Sequence, residues 1–411
     1  MEELFVRPKA HIRMHEGPLG DHIDAFIRTL ADKGYANASM RRAAWLVGDF
    51  SRWLLRRGIV ANDLTIGHIA AFLRCRKRRR TPRYEDRPTL SRLLTHLARN
   101  GVVVVAIAIE VQTPAQQLEA EYVAFMRQER NLAPTTIYSN RMQARRLLAS
   151  LFADGATQFD QVTAQEVIAH VRRATSACRP NTAGHVVGCA RAFLRFAYCL
   201  GLARTDLSKC IPAPANWSLS SIPRALEEDH VRRILERCDR TTVNGCRDYA
   251  IILLLARLGL RAGEVAALQL EDIDWRTGEL QVRNGQTRVD RLPLPHDVGQ
   301  ALAEYLRTGR PPCSSRLVFV RSQAPRQGFA NGTAIAGVVR RALRRADLDP
   351  PCKGAHALRH TLATQLLRQG ASLAEIGEVL RHRQQQTTMI YAKVDLASLR
   401  SLAAPWPGGA Q

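Results

Sequence analysis

His356-Ala357-Leu358-Arg359-His360-Thr361-Leu362-Ala363-Thr364 is the stretch on which the fold turns. Read as a helix, it places His356 and Arg359 three residues apart and therefore on one face. Leu358, Leu362 and Leu366 point elsewhere, into a core. A histidine beside an arginine offers several hydrogen-bond donors to one anion, and a phosphate suits that pair. Upstream, Gly259-Leu260-Arg261-Ala262-Gly263-Glu264 sets Arg261 just after a glycine turn, at the start of a helix. Exposed backbone amides there also favour an anion.

Two further segments lie downstream, Leu380-Arg381-His382 and Thr387-Thr388-Met389-Ile390-Tyr391. Each alone is ordinary. A lone arginine is usually a solvated charge, a lone histidine structural, and a tyrosine among apolar residues half-buried packing. The order is what informs: Arg, then His-x-x-Arg, then His, then Tyr, with eight residues between His382 and Tyr391. The flanking words Gly-Leu-Arg-x-x-Glu-Val, His-x-Leu-Arg-His-Thr-x-Ala-Thr and Thr-Thr-x-Ile-Tyr-Ala accompany it. In these residues the chain resembles the tyrosine recombinase (phage integrase) family. The likeness runs strongly from Ser221 to Leu402 and more loosely from Thr113 to Gly201, as that family's helical core-binding domain.

The resemblance implies roles. Tyr391 is the nucleophile, attacking a DNA phosphodiester and keeping the 3′ phosphate. Arg261 and Arg359 clamp the non-bridging oxygens, where planar guanidinium forks serve better than lysine. His356 and His382 assist by proton shuttling or hydrogen bonding, and Glu264 orients side chains. A covalent phosphotyrosine stores the bond energy, so no cofactor, ATP or metal is expected. One departure stands out. The family carries a lysine between two strands that protonates the 5′-oxygen leaving group. Here the corresponding turn, Val282 to Arg291, has none, and no lysine occurs between Lys209 and Lys353. Arg283 and Arg288 are the candidate substitutes, yet a guanidinium holds its proton too tightly to be a good acid. Water or His382 are alternatives, and the general acid stays unassigned.

Composition agrees with a nucleic-acid partner. The 411 residues carry 60 Lys+Arg against 37 Asp+Glu, a net charge of +23. An excess of this size favours a polyanion. Arginine-rich codon usage explains why lysine is confined to positions 9, 33, 77, 209, 353 and 393, but not the shortage of acids. The nine cysteines are scattered without a Cys-x-x-Cys pair, which argues against a zinc ribbon or disulfide framework. Without a signal-peptide pattern, and with the longest apolar run being Val102 to Ile109, the expectation is a cytoplasmic protein with no membrane contact.

The first half reads as an approximate repeat, offset by about a hundred residues. Ala25-Phe26-Ile27-Arg28 returns as Ala124-Phe125-Met126-Arg127, and the segment at Thr65 returns at Thr163. Leu93 to Ala98 is echoed by Phe193 to Tyr198, and Gly101 by Gly201. Val102–Val111 is a strand or a buried connector. The proline-rich stretch from Ile211 reads as a linker, and Arg74 to Arg80 as a solvated basic loop. After the linker, an apolar helix spans Asp248 to Leu258 and another Glu264 to Leu270. Short strands Glu279–Arg283 and Arg291–Leu294 flank a turn from Asn284 to Asp290, helices resume from Asp297, and Ser372-x-x-Glu375 forms a capping box.

The expected fold is an α-helical N-terminal half of core-binding units followed by a mixed α/β, mainly helical catalytic domain. The boundaries are 1–111 for an additional arm, 112–210 for the core-binding domain, 211–220 for the linker, 221–404 for the catalytic domain and 405–411 for a tail. The resemblance implies a clamp on double-stranded DNA and a homo-tetramer on paired sites, acting alone or with related recombinases. Candidate DNA contacts are Arg76, Lys77, Arg78, Arg79, Arg80, Arg141 and Arg145. Two other readings stand beside it. One is a catalytically impaired partner within a recombinase set, motivated by the missing lysine. The other is a non-catalytic regulator using helix-turn-helix patterns at Ala256–Leu270 or Gln369–His382, which would not need Tyr391, His356 and Arg359 together.

Overall fold

Apolar residues at helical spacing build the first two hundred residues. Ile23, Phe26, Ile27 and Leu30 follow the i, i+3, i+4, i+7 rule, and all four are buried. The computed structural model describes residues 12–78, 81, 83–103, 113–152, 158–213, 223–284 and 288–394. Within them the same series of elements occurs twice. The first series is α1 (Gly20–Asp32), α2 (Asn37–Leu55), a 3-10 turn (Ala61–Asp63), α3 (Ile66–Lys77) and α4 (Asp86–Arg99). The second is α5 (Pro114–Gln128), α6 (Pro134–Leu151), a 3-10 turn (Phe159–Gln161), α7 (Ala164–Thr175) and α8 (Pro180–Cys199).

Local chemistry matches as well as order. Thr65 caps α3 and Thr163 caps α7, each accepting a hydrogen bond from the backbone N–H three residues on. His68 and Glu166 return the favour, accepting from Thr65 N (3.2 Å) and Thr163 N (2.8 Å). Both series end on a glycine in the left-handed region, Gly101 (φ 70°) and Gly201 (φ 72°). Each series closes over its own hydrophobic cluster, the first around Phe50, Phe72 and Leu93, the second around Tyr122, Phe193 and Leu148.

One sequence expectation needs adjusting here. Arg74 to Lys77 form the last turn of α3 rather than a loop. Basic side chains there complement the helix C-terminal carbonyls, so a charge run does not by itself break a helix. Arg79, Arg80 and Pro82 lie outside the described residues, as do 104–111 of the β-branched run and 214–220 of the linker. By compactness the chain divides into one unit of residues 106–220 and another that joins 1–105 with 221–411. In the latter, the Arg326 backbone N–H donates to the Lys33 carbonyl at 3.0 Å.

Past residue 223 the elements are α9 (Glu228–Glu236), α10 (Val243–Arg257), α11 (Ala262–Ala267), three short strands, then α12 (His296–Glu304), α13 (Gly332–Arg345), α14 (Ala355–Arg368) and α15 (Leu373–Val379). Ala250 to Leu255 are all buried, so α10 is enclosed on every side, as a helix apolar all round must be. β1 (Ile273–Asp274), β2 (Glu279–Asn284) and β3 (Arg288–Pro293) form an antiparallel sheet in that order, Leu280 opposite both Ile273 and Leu292. The expected helix from Glu264 to Leu270 stops at Ala267. Gln269 then starts a single 3-10 turn, with its N–H donated to Asp272 at 2.8 Å. The strand expected from Arg291 begins at Arg288, which shortens the turn; residues 285–287 lie outside the described set. Among the described residues, no helix is long and apolar enough to cross a membrane.

Candidate active site

The site begins where α10 ends. Gly259 takes φ +57°, and a Cβ there would sit 2.8 Å from a Leu380 methyl and 3.0 Å from a Leu362 methyl. Only glycine combines that backbone with so close an approach. The turn delivers Arg261 to the N-terminus of α11, half-buried beside Glu264. Glu264 accepts from the Arg261 backbone N–H (2.8 Å) and from its guanidinium Nη1 (2.8 Å). Nη2 of Arg261 donates to the Arg381 carbonyl at 3.3 Å.

The helix α14 supplies three more side chains. Leu358 and Ala357 turn into the core and hold its register. Arg359 is almost fully buried and donates to the carbonyls of Gly259 and Leu380, which stitches the glycine turn to the segment after α15. Loss of water, then the positive charges of Arg261 and Arg381, bring its pKa down to about 10, so it stays charged at neutral pH. His356 keeps a solvent-facing edge. Its pKa is lowered first by desolvation and then by Arg359 and Arg261.

The Ser372 capping box forms: Ser372 Oγ accepts from the Glu375 N–H (3.2 Å), and Glu375 accepts from the Ser372 N–H (2.7 Å). It fixes α15, after which the chain reverses through Arg381 at φ +55°, a conformation that costs an arginine. Arg381 is 4% exposed. Its Nη2 donates to Glu264 at 2.8 Å, and its Nε faces Asp290 at 3.7 Å. His382 follows, its Nδ1 2.7 Å from the Thr388 hydroxyl. Burial first, then Arg359, Arg261 and the other histidines, push His382 down to about 4. Tyr391 closes the site at 1% exposure, and burial raises its phenol to about 12. Its hydroxyl lies 2.8 Å from Nδ1 of His360.

Arg261, His356, Arg359, His382 and Tyr391 thus share one electrostatic neighbourhood, since Arg359 acts on both histidines and on Tyr391. Sequence reasoning missed two members. His360 falls four residues after His356, on the same helical face, and that spacing was a usable signal. For Arg381 there was none, because a left-handed arginine is not foreseeable from Leu-Arg-His.

The other candidates have surroundings of their own. Arg283 donates from Nε (3.1 Å) and Nη2 (2.7 Å) to Asp272. Nothing is described of the Arg288 side chain. Arg76 pairs with Asp49 at 2.8 Å and faces Asp86 at 3.5 Å, while Lys77 and Arg78 are exposed. Arg141 and Arg145 both bind Glu119. Lys353 is paired with Asp349. Among the described residues, no group of three or more His, Cys, Asp or Glu side chains is placed to hold a metal ion.

Residues 224–397 match the model of the phage integrase family. A protein of Sinorhizobium fredii named as an integrase/recombinase is 43% identical, over 97% of this chain and 97% of its own length. The tyrosine recombinase XerD of Mycobacterium tuberculosis is 28% identical over 72% of this chain and 98% of its own. Among solved structures, the XerH site-specific recombinase in a post-cleavage complex with its difH substrate has the same fold, with a TM-score of 0.56, 17% identity, and coverage of 70% of this chain and 84% of that one. End-to-end likeness to the Sinorhizobium protein, together with the family match over the region that holds the site, establishes that the chain belongs to the phage integrase family, the tyrosine recombinases.

Proposed function

We propose that the chain is a site-specific recombinase that cleaves and rejoins double-stranded DNA through a 3′-phosphotyrosine at Tyr391. The observation that carries this reading is the convergence of Arg261, Arg359, His356, His382 and Tyr391 from four separate segments onto one site. In this reading the scissile phosphate sits between the two guanidinium groups. Arg359 is fixed by two backbone carbonyls and Arg261 by Glu264, so neither must reorganise as charge builds on the non-bridging oxygens. Tyr391 attacks phosphorus, and the 5′ oxygen departs. A second attack by a 5′ hydroxyl reverses the step and restores a phosphodiester, so no external energy source enters. The chain would hold the duplex mainly through phosphate contacts, and strand exchange would take place in a tetramer on paired sites, with or without related recombinases. The relatives named as an integrase/recombinase and as a tyrosine recombinase support this assignment.

Two observations favour a second reading. The chain lacks a lysine between Lys209 and Lys353, and Arg283 is tied to Asp272. A partner that binds DNA without cutting it fits both facts. One experiment separates the readings: a nicked duplex carrying the site that the purified chain selects from a random-sequence pool. The recombinase reading expects a covalent adduct that survives denaturation, persists with a chelator present, and disappears in Tyr391→Phe while DNA binding remains. A wild-type chain that binds tightly yet never forms the adduct is the impaired partner.

A further inference from the structure

We propose that His360 is the base that takes the phenolic proton of Tyr391 as that oxygen attacks the DNA phosphorus. The inference rests on Tyr391 being the nucleophile. Nδ1 of His360 lies 2.8 Å from the Tyr391 oxygen, and the two rings meet edge to face at 5.6 Å. The other two histidines of the site are placed differently. Nδ1 of His382 is engaged by the Thr388 hydroxyl at 2.7 Å. The His356 ring packs edge-on against His360 at 5.1 Å. Among the described residues, His360 is the side chain hydrogen-bonded to the Tyr391 hydroxyl.

A base is needed because Tyr391 is stored protonated, its phenol pushed up to about 12 by burial. Preformed tyrosinate is then scarce at neutral pH. His360 is suited to the task by being neutral. Burial, then the neighbouring His356 and Arg359, hold it down to about 4, so the Nδ1 lone pair is free to accept the Tyr391 O–H. The groups facing it are His356 and Arg359 on α14, and Tyr391 and His382 on the segment that closes over α14. In the resting state this ordering keeps the proton on oxygen. Two changes reverse it during attack. A phosphodiester entering beside Arg261 and Arg359 brings negative charge that offsets the positive neighbours and raises His360. The phenolic oxygen also becomes more acidic as its bond to phosphorus forms. Proton transfer therefore accompanies attack instead of preceding it. The Tyr391 O–P bond forms, and the P–O5′ bond breaks with its electron pair leaving on the 5′ oxygen. The phenolic proton passes to Nδ1, the 5′ oxygen takes a proton from water, and imidazolium returns one to water.

The test measures single-turnover adduct formation by the full chain on the selected nicked duplex, from about pH 6 to about pH 9, at saturating DNA. His360→Asn keeps an oxygen acceptor near the Nδ1 position, so it can orient Tyr391 but cannot take its proton. The expected result is a fall on the order of a hundredfold or more, with unchanged DNA affinity. The variant's rate should also climb about tenfold per pH unit, because only preformed tyrosinate attacks, while the wild-type rate stays nearly level. His360→Gln serves in its place if the Asn variant lacks the wild-type circular dichroism. A variant that cleaves at the wild-type rate with the wild-type pH profile overturns the inference, since orientation alone would then suffice. A wild-type chain without adduct, or a Tyr391→Phe chain with one, overturns the nucleophile reading and this inference with it.

Discussion

Glu119 and Glu264 are both buried, and each holds two arginines, but what surrounds them differs. Glu119, on α5, binds Arg141 Nε at 2.5 Å and Arg145 Nε at 2.8 Å, and those arginine side chains remain 46% and 52% exposed. Glu264, on α11, binds Arg261 and Arg381 at 2.8 Å each, with side-chain exposures of 33% and 4%. In the first case the cations can turn toward water or toward a passing phosphate. In the second, one cation is sealed in and the other is steered by a carboxylate and a carbonyl. The same ion-pair chemistry therefore serves adaptable contact in one place and fixed geometry in the other. Reorganisation during a reaction is costly, and the fixed arrangement avoids it.

The largest expected effect tests that contrast directly. Glu264→Ala strips buried Arg381 of its carboxylate at 2.8 Å and leaves it facing the more distant Asp290 at 3.7 Å, a break that should cost about 3 kcal/mol. Glu119→Ala releases two arginines that already reach solvent, so its cost should be about 1 kcal/mol. Urea unfolding of the two variants would measure the gap, and equal losses would break the comparison. Next in size is the chemistry. Arg359→Ala should slow adduct formation on the order of a hundredfold at saturating DNA, the scale for one preorganised donor. Arg141→Ala with Arg145→Ala should leave that rate unchanged and instead lower the log–log salt slope of binding by ~0.9 per lost phosphate contact. A slower chemical step in the α6 double variant would place those arginines in the reaction after all.

A further test concerns acid. His360 and His382 both lie near about 4 when folded, against an ordinary value of 6.5. Because the folded value is the lower, their contribution to stability is complete above about 6.5 and drains away as pH falls toward about 4. The Tm of the wild type should therefore drop more between those pH values than that of a His360→Asn, His382→Asn double variant. Parallel curves would show that acid attacks the fold elsewhere.

What was legible in the sequence follows from how each feature is encoded. Arg261, His356, Arg359, His382 and Tyr391 could be singled out because their order along the chain resembles a known family's motif. The paired helical series was readable because Thr65 and Thr163 cap equivalent helices, and Gly101 and Gly201 end equivalent ones. Arg74 to Lys77 misled because a charge run looks like a solvated loop, although three flanking positions, Ile69, Phe72 and Leu73, pack on the core and carry the helix through it. Arg283 looked free to stand near the missing lysine's place because its partner, Asp272, lies eleven residues away on a turn that no local pattern announces. The partnership of His360 with Tyr391 spans 31 residues and depends on the reversal at Arg381, so it is a property of tertiary structure alone.

Gly259 carries a last consequence, for how this protein can change. Its carbonyl anchors Arg359, its backbone is left-handed, and two leucine methyls occupy the space where a side chain would begin. Even alanine would have to push Leu380 and Leu362 aside, and with them the ends of the two segments that carry His382 and the α14 residues. A single added carbon would thus be felt as lost core packing and as a displaced guanidinium at once. Position 259 has no gentle neighbour in sequence space, and adaptation to new substrates has to travel through other residues.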